Sequence, residues 1–264
     1  MTDAGIRNSF FQGKRAPKKT FFIAYGPPSS GKSSVMVQLL AHHGVSSSEI
    51  IEVNVDAIIN KMMATDNVDA KQNQETYWRL RSRADDISSQ ILDQALLQDF
   101  HVAWETTGRT VGWTIKEIDR IRRLGYRIVL VYPVVHTELL LQRMAKRTAQ
   151  INAPEQQVRD IVDRAAKNIV RVSPYLDELY IYDNSEERDM TQGSDTQPLT
   201  KLIMLRNTFN GGNDAPVSGN GGPGWVEEVV ECDCAGMRVK DVRDKVSTEL
   251  ADFIDTRCKR TCQE

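Results

Sequence analysis

No cysteine occurs in the first 231 residues of this 264-residue chain; Cys232, Cys234, Cys258 and Cys262 all lie near its end. That excludes a disulfide-stapled scaffold and points to a reducing compartment, where the four read as free thiols. Cys232 and Cys234 would share a face of an extended segment, and Cys258 and Cys262 a face of a helix. Four thiolates converging on one Zn²⁺ is therefore the alternative, although the spacing is not that of a usual zinc ribbon. Net charge is equally scarce. A formal value of −2 gives no global attraction for a polyanion, so a nucleic-acid partner is not expected. No apolar run approaches the roughly 18 residues a membrane span needs, and the N-terminus has no uninterrupted apolar signal core. A cytoplasmic protein with no membrane partner is the expectation. What the chain does have is ordinary for a soluble globular protein, with 27% charged and 40% hydrophobic residues.

Gly26-Pro27-Pro28-Ser29-Ser30-Gly31-Lys32-Ser33 fits the phosphate-loop spacing G-x-x-x-x-G-K-[ST]. Its context fits too. Thr20 to Tyr25 (TFFIAY) reads as a short buried strand, and the stretch from Ser34 to Gly44 reads as a helix. Backbone N–H groups of such a loop curl round phosphate, while the lysine reaches the β/γ-phosphates and the serine hydroxyl ligates Mg²⁺. Gly26, Ser29, Ser30, Gly31, Lys32, Ser33 and Ser34 are the nucleotide-binding candidates, with ATP or GTP and Mg²⁺ as the implied cofactors.

Strands and helices alternate along the rest of the chain. Residues 49–55 (EIIEVNV) predict a second strand ending on Asp56, followed by a short helix over 57–63. Tyr77, Leu80, Ala84, Ile87, Ile91 and Ala95 recur at spacings of three and four, predicting a long helix over about 72–98. Residues 100–104 predict a third strand delivering Glu105, and 126–132 (YRIVLVY) a fourth stopped by Pro133. Helices are expected over 114–124, over 138–147 and after Pro154, and strands over 179–182 and, on the edge, 199–205. This pattern implies an α/β fold of the P-loop kinase type, three layers around a mostly parallel five- or six-stranded sheet. Ligands of such sheets bind at the carboxyl ends of the strands, where Gly26, Asp56 and Glu105 fall. Residues 1–19 form a basic arm, expected to be solvated or else a transit peptide, and 20–206 the P-loop kinase domain. Residues 207–224 form a glycine-rich linker. The tail, 225–264, carries the apolar stripe Val239, Val242, Val246, Leu250 and Phe253, which must dock on the main domain or on a protein partner.

Phosphoryl transfer also needs a carboxylate to take the proton of the attacking hydroxyl, cations to follow the moving charge, and a grip on the acceptor. Asp56 is placed either for the first role or to cap the helix at Ala57. Glu105-Thr106-Thr107-Gly108-Arg109 is rich in groups for holding a polar ligand, or is a capped loop with a surface ion pair. Arg143, Lys146 and Arg147 would make a lid, or simply a solvated helix face.

The order strand–GPPSSGKS–helix, a strand ending VNVD, a strand running into ETTGRT, a helix, the strand YRIVLVYPV and an arginine-bearing helix resembles the zeta-toxin family of P-loop kinases over about residues 20–184. The resemblance implies transfer of the γ-phosphate of ATP or GTP to a hydroxyl of a UDP-activated amino sugar. Carried over, Lys32 and Ser33 hold phosphate and Mg²⁺, and Asp56 is the base. Glu105, Thr107 and Arg109 contact the acceptor, and Arg143 is the lid arginine. Thr106 stands where the family has glycine. Ile151 or a neighbour replaces a second nucleotide-binding arginine, and the linker and tail have no counterpart. Two other readings stand beside this one. One is a nucleoside or polynucleotide 5′-hydroxyl kinase whose Lys14, Arg15, Lys18 and Lys19 track a backbone; the other is a nucleotide-binding scaffold that has lost turnover and docks through its tail.

Overall fold

The apolar runs of the sequence become the strands of one six-stranded sheet. In chain order they are β1 (Thr20–Tyr25), β2 (Ile50–Val53), β3 (His101–Thr106), β4 (Arg127–Val134), β5 (Glu178–Asp183) and β6 (Thr200–Arg206), arranged β2-β3-β1-β4-β5-β6. The computed structural model describes residues 2–15, 19–66, 74–146, 154–184, 200–206 and 248–258. β1 to β5 pair in parallel, and β6 closes the edge antiparallel to β5. The fold is thus a P-loop kinase-like α/β fold. The central strands are buried on both faces, which is why they read as continuous apolar runs rather than alternating ones.

Side chains of β1 alternate between two cores. Phe21, Ile23 and Tyr25 face the larger one, and Phe22 and Ala24 the smaller one, with Val35, Met36 and Leu39 of α2 (Lys32–His42). The larger core takes apolar residues from α3 (Val55–Asp66), α4 (Gln74–Leu97), α5 (Val111–Arg123) and α7 (Glu155–Val172). A third, small cluster joins α6 (Thr137–Lys146) to α7 through Leu140, Met144 and Val158.

Three expectations need correction. β2 ends at Val53, so Asp56 does not terminate a strand; it lies in the first turn of α3. Pro133 does not stop β4, because the β1–β4 ladder has already ended at Ala24↔Val131 and the missing N–H of proline costs that ladder nothing. The basic arm is not wholly solvated. Asp3–Ser9 forms helix α1, capped by the Thr2 side chain accepting from Gly5 N, and buries Ile6 in the larger core.

Of the two dockings expected for the tail, its described part takes the one on its own domain. Thr248–Cys258 forms helix α8, with Leu250, Ala251 and Ile254 buried and Leu250 and Ile254 part of the larger core, against α7. Burying two such side chains stabilises by about 3–6 kcal/mol in total. Val239, Val242, Val246, Cys232, Cys234 and Cys262, together with the linker, lie outside the described residues.

Candidate active site

The loop between β1 and α2 has the shape its sequence requires. Ser29, a non-glycine residue, sits at φ +61°, and Gly31 at φ +86°. Left-handed backbone at a non-glycine is strained and concentrates at functional sites. Lys32 Nζ donates to the carbonyl of Pro27 at 2.9 Å, folding the lysine over the loop, and Ser34 follows in the first turn of α2. The loop is fastened to the neighbouring strand, since Gly26 N donates to Thr106 O at 3.1 Å.

The donor set fits a polyphosphate. Ser29 Oγ and Ser30 Oγ are buried with no hydrogen-bond partner among the described residues, and buried hydroxyls are rarely left so unless a ligand or water meets them. Ser33 Oγ donates to Glu105 Oε1 at 2.9 Å. A hydroxyl beside a carboxylate at the mouth of a phosphate loop is an all-oxygen pair of the kind a hard cation such as Mg²⁺ prefers. Glu105, expected to grip the acceptor, therefore starts from a contact on the phosphate side. It is the penultimate residue of β3 and is half-buried.

Asp56 and the helix cap prove to be different residues. Asn54 Oδ1 accepts from Asp56 N at 2.9 Å and from Ala57 N at 3.1 Å, so Asn54 caps α3. The Asp56 carboxylate is half-exposed and pairs with Arg81 of α4 at 3.5 Å. Arg81 was not singled out in the sequence. It is one of three arginines at alternate positions of α4, and nothing local marks which one turns toward Asp56.

The loop after β3 is held from beneath. The carbonyl of Gly108 accepts from Tyr25 Oη at 2.9 Å and from Asn168 Nδ2 at 2.8 Å. Burial, with Tyr132 alongside, pushes the Tyr25 phenol up and keeps it a neutral donor. Gly108 is at φ +71°, and a Cβ there would meet the Tyr25 ring at 2.3 Å, so only glycine fits. Thr107 is half-buried and Arg109 exposed, one on either side of this anchor. Trp113, half-exposed at the start of α5, lies with its ring 5.2 Å from that of Trp104. Asn168 was invisible as a site residue because its contact joins segments 60 residues apart in sequence.

Arg143 of α6 does come to the loop, through an intermediary. Its Nη2 donates to the carbonyl of Asn184 at 3.0 Å, and Asn184 Nδ2 donates to the carbonyl of Ser30 at 2.8 Å. Arg147 and Ile151 lie outside the described residues.

The cations of the arm sit elsewhere. Lys14 Nζ donates to Ser47 O, and Arg15 N donates to Ser48 O, ahead of β2. Lys19, just before β1, pairs with Asp99 at 3.0 Å. These are the amino ends of the parallel strands, opposite the phosphate loop.

A family model described as an AAA domain matches residues 21–168, more than half of the chain. Comparison with curated proteins gives no match. Among solved structures, one from the PezAT chromosomal toxin–antitoxin system of Streptococcus pneumoniae is similar with a TM-score of 0.57 at 16% identity, over 73% of this chain and 81% of that one. A structure of AvrRxo1-ORF1:AvrRxo1-ORF2 with sulphate ions gives 0.55 at 12% identity, over 77% of this chain and 65% of that one. Another of the same pair with ATP gives 0.52 at 13%, with the same coverage. The chain thus spans just under two thirds of the AvrRxo1 chains it matches. At such identities the likeness is one of fold, and at that level the zeta-toxin resemblance is borne out.

Proposed function

The chain belongs to the AAA domain family, and from that premise we propose that it is a phosphotransferase of zeta-toxin type. It moves the γ-phosphate of ATP or GTP to a hydroxyl of a UDP-activated sugar or a similar small molecule. The observation that carries this reading is the Ser33–Glu105 hydrogen bond of 2.9 Å beside two buried, unpartnered loop hydroxyls. The similar AvrRxo1 structure with ATP supports a nucleotide in this loop.

Each group then has a role that balances the reaction. The acceptor oxygen forms a bond to the γ-phosphorus, the bond from that phosphorus to the β–γ bridging oxygen breaks, and the nucleoside diphosphate leaves. Asp56 takes the proton of the acceptor hydroxyl, held in place by Arg81. Lys32 follows charge on the transferred group, and Arg143, tied to the loop through Asn184, adds positive charge on the phosphate side. Ser33 and Glu105 would hold Mg²⁺, which would supply positive charge to offset that of the nucleotide phosphates. Thr107 and Arg109 grip the acceptor from a loop that Tyr25 and Asn168 keep still.

The polynucleotide-end reading loses support, because Lys14, Arg15 and Lys19 lie at the opposite end of the sheet; Lys18 lies outside the described residues. A protein partner, as in a toxin–antitoxin system, would have to use a surface other than the buried face of α8. No helix among the described residues is long and apolar enough to cross a membrane. A panel of UDP-sugars, nucleosides and 5′-hydroxyl oligonucleotides incubated with labelled ATP tests the assignment. Label on a UDP-sugar supports it, and label on the oligonucleotides alone would replace it with the polynucleotide reading.

A further inference from the structure

Asn184 follows the last residue of β5 and uses three of its groups on three different elements. Its N–H donates to Val134 O at 2.9 Å, extending the β4–β5 pairing by one bond. Its carbonyl accepts from Arg143 Nη2 at 3.0 Å. Its side-chain Nδ2 donates to Ser30 O at 2.8 Å, and the residue is only 5% exposed. Strand β4, lid helix α6 and the phosphate loop therefore meet on one asparagine.

The fit is specific to the amide and to the glycine beside it. A Cβ on Gly31 would lie 2.2 Å from Asn184 Nδ2. Even a residue tolerating φ +86° would push the amide away, so the second glycine of the motif makes room for Asn184 as well as for phosphate. Without the amide, the Ser30 carbonyl loses its donor in a closed environment, and a buried acceptor left unmet is costly. Ser30 lies between Ser29, at φ +61°, and Gly31, so this carbonyl is where the strained turn of the loop can be held from outside.

We infer that Asn184 is a positioning residue that fixes the phosphate loop in its nucleotide-binding shape and couples it to the lid arginine. This rests on the nucleotide reading of the site given above. An asparagine in this place touches neither the acceptor nor the reacting oxygen; it acts through Ser30 and Arg143. Its loss should thus weaken the nucleotide selectively and leave acceptor recognition at the β3–α5 loop untouched.

The test measures the affinity of a fluorescent ATP analogue, the KM for ATP and for the acceptor, and melting temperature. It compares the full chain with Lys32→Ala, Asn184→Ala, Asn184→Asp, Arg143→Ala and Asn184→Ala/Arg143→Ala. Asn184→Ala should raise the Kd for the analogue about five- to tenfold, as expected for one lost buried hydrogen bond. Asn184→Asp, the same size but with an oxygen facing the Ser30 carbonyl and a negative charge near phosphate, should raise it more. Acceptor KM should stay within about twofold, and the double variant should lose less kcat/KM than the product of the single losses. Either Asn184 variant binding the analogue as the parent does, an equal rise in both KM values, or strictly multiplicative losses would overturn the inference. So would collapse of both variants' melting transitions, which would make Asn184 a residue of the fold. If the parent itself fails to bind the analogue, or Lys32→Ala binds it as tightly, the nucleotide reading falls and takes this inference with it.

Discussion

Ser33, in the first turn of α2, donates to Glu105 Oε1 on β3 at 2.9 Å, so the end of the phosphate-loop motif and the acidic strand end belong to one hydrogen-bonded unit. Glu105→Gln keeps the size and an acceptor oxygen but removes the charge. With Glu105 on the metal side, half-maximal activity should require about ten- to a hundredfold more Mg²⁺, as when a metal-orienting partner is lost, with acceptor KM unchanged. A Mg²⁺ titration at fixed ATP reads this directly. A rise in acceptor KM at constant Mg²⁺ requirement would return Glu105 to the acceptor grip.

Removal of residues 248–264 should destabilise the protein rather than spare it. Leu250 and Ile254 are buried in the larger core against α7, and their loss exposes the surface they cover. A loss of about 3–6 kcal/mol corresponds to a melting temperature lower by roughly 6–24 °C in a domain of this size. An unchanged melting curve would mean that α8 adds nothing to the fold.

The phosphate loop, the strands and the stripe of α7 were legible because each is a local pattern. A buried parallel strand is a continuous apolar run, and Val158, Ile161, Ala165 and Ile169 repeat at helical spacing. Asp56 as a residue distinct from the helix cap was not legible, since Asn54 and Asp56 are both competent caps and only the folded backbone chooses. α1 was missed because its seven residues bury only Ile6, too short a stretch to show a period. Asn168, Asn184 and Arg81 were missed for a different reason. Each is an ordinary polar residue locally and acquires its role through a partner at least 25 residues away.

Far from the site, acid stability should depend on Glu178. Burial pushes its carboxyl up, but His43, the Arg127 guanidinium and the Tyr180 hydroxyl outweigh that and hold it at about 2, below its ordinary 4.5. A depressed folded-state value stabilises above the unfolded-state value, and that stabilisation is lost as pH falls from about 4.5 toward about 2. Glu178→Gln should melt lower at neutral pH, by about 1–3 kcal/mol for the partners left behind, and lose less on going from pH 5 to 2.5 than the parent. Parallel melting curves for parent and variant across that range would rule out this source of acid sensitivity.

Phosphoryl transfer itself is tested most directly by labelled-ATP assays of the parent, Lys32→Ala and Asp56→Asn on whichever acceptor of the panel takes label. Lys32→Ala should lose transfer by several orders of magnitude. Asp56→Asn should bind nucleotide as the parent does, and keep its fold because Asn54 is the cap, while transferring phosphate about 10²–10⁴-fold more slowly. Transfer by Asp56→Asn at the parent's rate, or by Lys32→Ala within a few fold of it, would contradict the account.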